Sequence, residues 1–161
     1  MSRRYSSSRI ILTLDTPRLE HLSLINTTQQ IHIKHTIQLH TFKIVSSEHH
    51  DLHLKALTYL TELKLVCPSP LPQLNVNFTR LNKLSISLAA IDTWASCTPN
   101  LKELSLYYTN SLQPSIDLSA QFPRLDTLDV HNEDTLQLIP KMVVTTFKCT
   151  KFDFQYVRVT L

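Results

Sequence analysis

The sequence predicts an α/β repeat solenoid dominated by short parallel β-strands, and three observations predict it. A string with apolar residues at its first, fourth and sixth places recurs along the chain. Its recurrence interval stays between 20 and 24 residues. The chain just ahead of several strings also repeats itself, as "TPR", "FTR", "TPN" and "FPR". Self-similarity at such a period signals stacked supersecondary units, not one mixed globular core.

In chain order the strings are "LEHLSLIN" from Leu19, "LHTFKIVS" from Leu39, "LTELKLVC" from Leu60, "LNKLSISL" from Leu81, "LKELSLYY" from Leu101 and "LDTLDVHN" from Leu125. A weaker one, "CTKFDFQY", starts at Cys149, so the intervals are 20, 21, 21, 20, 24 and 24 residues. Period-two alternation in an extended segment sends the fourth and sixth places inward and the fifth outward. Stacked coils set these segments side by side as parallel strands about 4.8 Å apart. One coil alone cannot persist: burying its apolar side chains gives on the order of 10–20 kcal/mol, and fixing about twenty residues costs at least as much. Neighbouring coils supply the difference.

The other side of each coil carries a second alternation: "IHI" at 31–33, "LHL" at 52–54, "LNV" at 74–76, "IDL" at 116–118 and "LQL" at 136–138. Short extended segments are expected there. The fourth coil differs, because "LAAIDTWASCTPN" favours a short helix that ends before Pro99. "SSEHHDLHLKALTYL" suits either state, with Ser47 as a potential cap. Residues 1–15 form an Arg/Ser-rich lead-in and residues 16–161 one solenoid of six to seven coils.

These strings resemble the leucine-rich repeat, LxxLxLxx followed by Asn or Cys. The corner place holds Asn26, Ser46, Cys67, Leu88, Tyr108, Asn132 and Tyr156; Leu88 and the two Tyr depart from the pattern. The resemblance implies parallel strands on a concave face, with short strands, 3-10 or helical turns on the convex side. The irregular coil length and the "TPxL" and "FPxL" lead-ins look most like the repeat region of fungal or protist F-box/leucine-rich-repeat proteins. In that family the F-box docks on a ubiquitin-ligase scaffold and the repeats hold the substrate. No F-box is expected ahead of Thr16, so the substrate-holding half is what carries over.

A net charge of +3 over 161 residues is too small to argue for nucleic acid. No apolar run is long enough for a membrane-spanning helix. Cys67, Cys97 and Cys149 are an odd, widely spaced set, which fits a reducing compartment, cytoplasmic or nuclear. The chain has no Gly, so a phosphate-cradling loop is not expected.

The resemblance makes the strand face the partner-binding face. Its fifth-place column reads Ser23, Lys43, Lys64, Ser85, Ser105, Asp129 and Asp153. The seventh-place column reads Ile25, Val45, Val66, Ser87, Tyr107, His131 and Gln155. Ile25, Val45 and Val66 make an outward apolar stripe beside Lys43 and Lys64, the pattern of a protein-docking patch. The bland alternative is strand propensity alone. The partner expected is another protein, and a solenoid end without a polar cap invites self-association. No cofactor or metal is expected. Asp129 and Asp153 on adjacent rungs would resemble a β-helix enzyme's carboxylate pair, but two solvated carboxylates are the simpler reading. "EHHDLH" at 48–53 offers metal-type ligands with no fourth from another coil. The expectation is a non-enzymatic binding module. A carbohydrate-active parallel β-helix enzyme and a structural repeat fragment are the alternatives.

Overall fold

The computed structural model describes residues 11–25, 30–33, 38–45, 57–66, 76–107, 117–131 and 144–149. Over these residues the chain is a strand-dominated parallel solenoid. Its strands are β1 (Ile11–Leu14), β2 (His21–Ile25), β3 (Gln30–Ile33), β4 (Thr41–Val45), β5 (Glu62–Val66), β6 (Lys83–Ser87), β7 (Glu103–Tyr107), β8 (Thr127–Val130) and β9 (Thr146–Cys149). Two short helices interrupt them, α1 (Ile91–Ala95) and α2 (Leu118–Gln121). Seven strands form one parallel sheet in the order β2-β4-β5-β6-β7-β8-β9, and β1 pairs with β3 in a separate two-stranded sheet. β1 falls within the Arg/Ser-rich lead-in segment, and its partner β3 contains the "IHI" segment.

The repeat spacing sets the register. Leu22, Phe42, Leu63, Leu84, Leu104, Leu128 and Phe147 are successive partners across the large sheet. Leu24, Ile44, Leu65, Ile86, Leu106 and Val130 form the parallel second column. From β4 to β8 every member of both columns is buried, and the lead residues Leu39, Leu60, Leu81, Leu101 and Leu125 are buried beside them. At the ends the lining is less complete: Leu19, Leu22, Leu24, Val144 and Phe147 are partly buried against the same core. In the described sheet β2 and β9 are each paired on one side only, and a rung paired on one side buries its apolar residues less completely.

The repeated tripeptides ahead of the strings are β-turns. Leu19, Leu81, Leu101 and Leu125 each donate their backbone N–H to the carbonyl three residues earlier, on Thr16, Phe78, Thr98 and Phe122. Leu60 makes the same bond to Leu57. Pro17, Pro99 and Pro123 occupy the second turn position, where a fixed φ is preorganised. Each turn delivers the chain to a second recurring device. The carbonyls of Glu20, His40, Thr61, Asn82, Lys102 and Asp126 each accept two consecutive backbone N–H groups from the next coil, at 2.8–3.1 Å. These bonds lock each coil to the one before it at the strand entrance.

The expected helix in the fourth coil is present as a 3-10 turn, Leu88–Ala90, running into α1. Thr98 Oγ1 donates to the Trp94 carbonyl at 2.8 Å, closing the helix end before Pro99. Trp94 is fully buried and packs at 5.5 Å from Phe78, inside the coil. Among the described residues its indole Nε1 finds no hydrogen-bond acceptor.

Two local expectations need correction. "IDL" does not continue as an extended segment: Asp117 caps α2, its carboxylate accepting from Ala120 N at 3.2 Å, and Leu118 is helical. A capping carboxylate satisfies a backbone donor that the alternating pattern does not register. The seventh strand is β9, so the last string starts at Val144, not at Cys149. Val144, Phe147 and Cys149 satisfy the first, fourth and sixth places at an interval of 19 residues from Leu125, and β-branched Val was the overlooked lead. The far-side segments at 52–54 and 136–138 lie outside the described residues, as do corner positions Asn26, Ser46, Cys67, Tyr108, Asn132 and Tyr156. Leu88, the described corner, is buried and apolar, where it opens the 3-10 turn.

Candidate functional site

The outward side chains of the seven-stranded sheet form three columns, one more than the sequence reading used. The fifth-place column is continuous in register: Ser23, Lys43, Lys64, Ser85, Ser105, Asp129 and then Lys148. Lys148, not Asp153, stands on the rung beside Asp129. The paired-carboxylate arrangement at that rung is replaced by a carboxylate next to an ammonium-bearing residue. Asp153 and Gln155 lie outside the described residues. The seventh-place column runs Ile25, Val45, Val66 over the first three rungs and Ser87, Tyr107 over the fourth and fifth. His131 extends it, donating its backbone N–H to the Leu106 carbonyl at 3.0 Å.

The overlooked column is the third place of each string: His21, Thr41, Glu62, Lys83, Glu103, Thr127 and Thr146. The signal was available, because the third place has the same outward parity as the fifth. This column neutralises much of the face. Lys43 Nζ lies 3.0 Å from Glu62 Oε1, and Lys83 Nζ lies 3.2 Å from Glu103 Oε2. Both pairs remain partly exposed, so each adds at most about 1 kcal/mol to stability. They still reduce the net charge that the two lysines show a partner.

The apolar stripe is graded. Ile25 on the first rung is 68% exposed, whereas Val45 and Val66 are half-buried by their neighbours. Further along, the face changes character. The Tyr107 and His131 rings stack at 4.1 Å with planes 9° apart. Lys64 Nζ stands 5.2 Å from the Tyr107 ring centre, although Lys64 is on β5 and Tyr107 on β7. To get there the lysine stem must cross β6, whose outward residues on that path are Ser85 and Ser87. These two serines are 8% and 5% exposed. Polar residues on the solvent side of a sheet are normally wet, so burial this deep means that taller neighbours close over them.

His131 Nε2 lies 3.6 Å from Asp129 Oδ2. The imidazole pKa is nonetheless lowered from its ordinary 6.5: burial disfavours the charged ring, the Asp129 carboxylate opposes this, and the Lys64 ammonium adds to the lowering. Neutral His131 is therefore favoured, stacked on Tyr107 and next to Asp129.

Among the described residues no cluster of three or more His, Cys, Asp or Glu is placed to hold a metal ion. The "EHHDLH" stretch lies outside them. Cys97, near the end of the fourth coil, is buried, with its thiol donating to the Thr93 carbonyl at 3.3 Å. No helix among the described residues is long and apolar enough to cross a membrane. No protein-family model, curated protein or solved structure matches the chain.

Proposed function

We propose that this protein is a non-enzymatic repeat module of leucine-rich-repeat type that holds another polypeptide against the outward face of its seven-stranded sheet. The carrying observation is the in-register face itself. The exposed Ile25 and the half-buried Val45 and Val66 sit at one end of it, and Lys64, Tyr107 and His131 lie further along. An apolar stripe leading to an aromatic and cationic centre has the composition of a protein interface, in which aromatic residues are enriched and charges cancelled. The resemblance to F-box/leucine-rich-repeat proteins suggests the finer role: the held polypeptide is a substrate presented to a ubiquitin ligase in the cytoplasm or nucleus.

The test compares the wild type with Ile25→Glu/Val45→Glu and, as a control on α1, Asp92→Ala. Each bait is checked for folding by circular dichroism, and captured proteins are identified and their affinity remeasured with purified partner. The docking reading expects a partner held by wild type and Asp92→Ala but lost from the face variant. Equal affinity for all three baits would overturn it.

A further inference from the structure

Three described lysines stand on β4, β5 and β6 with their side chains on the sheet face, and they are not equivalent. Lys43 and Lys83 each have a carboxylate within 3.2 Å. The contact of Lys64 is the face of Tyr107, 5.2 Å away. An aromatic face attracts an ammonium without cancelling its charge, so among the described residues Lys64 brings to the face a cation with no carboxylate paired to it. Its place is also distinctive. Ser85 and Ser87 belong to β6, the fourth of the seven strands in the sheet. The ammonium reaching over that strand lies near the middle of the face, where binding energy concentrates in protein interfaces.

The surroundings suit an anion of limited size. Ser105 and Tyr107 bring hydroxyl donors to the next strand, β7. The buried Ser85 and Ser87 provide a low floor beneath Lys64, itself a half-buried residue, and partial removal from water strengthens a cation's pull on an opposite charge. One rung beyond Ser105 comes Asp129, which repels a second acid. The arrangement selects one acidic group flanked by uncharged residues, not an acidic run.

We infer that Lys64, with Ser105 and Tyr107, is the anchor for a single aspartate or glutamate side chain of the docked polypeptide. This deepens the docking reading above and rests on it.

The test is an amide chemical-shift titration of the full chain with acetyl-Ala-Glu-Ala-amide. The expected result is a saturable shift centred on Ser85, Ser105 and Tyr107 that weakens with added salt. Acetyl-Ala-Gln-Ala-amide should give none. Lys64→Met, which keeps the long apolar stem over the serines, should weaken binding about fivefold, the upper range for a partly exposed ion pair. Lys102→Met, at an exposed lysine just ahead of β7 and outside the three outward columns, should leave it unchanged. Overturning results are shifts spread over all lysine-bearing strands, equal binding by the Gln peptide, or undiminished binding by Lys64→Met. Inorganic phosphate or acetate shifting the same amides as tightly as the peptide would also overturn it, by reducing the site to general ion binding. If the peptide fails while Ile25→Glu/Val45→Glu still abolishes partner capture, the anchor falls and the docking reading stands.

Discussion

Tyr107 and His131 stack at 4.1 Å across the β7–β8 junction, so a titrating imidazole is built into the middle of an aromatic and ionic array. Burial is the largest cause of its lowered pKa. Since the folded pKa lies below the ordinary 6.5, the unfolded chain binds the proton more readily. Stability contributed by neutral His131 is thus fully present above the unfolded value and is lost as pH falls below it, until the folded pKa is passed. Denaturant midpoints between about pH 5 and pH 8 should rise with pH in the wild type. His131→Phe, which keeps a stacking ring, should flatten the part of that rise due to His131. An unchanged pH profile would remove His131 from the account.

Trp94 and Phe78 touch in the interior, but they should respond differently to truncation. Phe78→Ala removes a fully buried ring and should cost about 3–5 kcal/mol. Trp94→Phe also leaves space, but it removes an indole N–H that has no acceptor among the described residues. Relief of that unsatisfied donor offsets part of the loss, so the net cost should be only about 1 kcal/mol. Equilibrium denaturation of both variants checks the order.

Position along the array should grade the cost of one chemical change. Leu63 on β5 is completely buried between neighbouring coils, while Leu22 on β2 is partly buried. Leu63→Ala should cost about 2–5 kcal/mol, within the range for buried leucines. Leu22→Ala should cost less than half as much, measured in the same denaturant series. Equal costs would mean that the β2 rung is covered as fully as the middle.

Asn100 ties three successive lead-in turns together. Its Nδ2 donates to the Thr79 carbonyl at 2.9 Å, and its Oδ1 accepts from Arg124 Nη1 at 2.6 Å. Asn100→Ala should lower stability by about 1–2 kcal/mol, near the sum of two modest hydrogen bonds. Arg124→Ala should cost less, and the double variant should be less destabilised than the sum of the two singles, because they share one bond. Additive thermal shifts would show that this bond contributes nothing.

Legibility differed between the inside and the outside of the solenoid. The inward columns could be read from Leu19 to Val130, because an apolar first-fourth-sixth pattern at a near-constant interval has only one way to line up buried neighbours. The "TPN" and "FPR" repeats pointed to a recurring lead-in, whose β-turn geometry the backbone hydrogen bonds supplied. The weak last string misled, because Cys149 matched the first place while the true lead, Val144, stood five residues earlier. At α2 the alternation was overridden by a single capping carboxylate, Asp117.

The sequence by itself determined the repeat, the inward ladder and the identity of the fifth- and seventh-place face residues as far as His131. Periodicity carries those because hydrophobic burial repeats with the coil. Tertiary structure alone decided that Lys148 neighbours Asp129, that Lys64 spans two strands to Tyr107, and that Ser85 and Ser87 are buried on the outward face. Those outcomes depend on register and on how far each long side chain leans across the next rung. A one-dimensional pattern records neither.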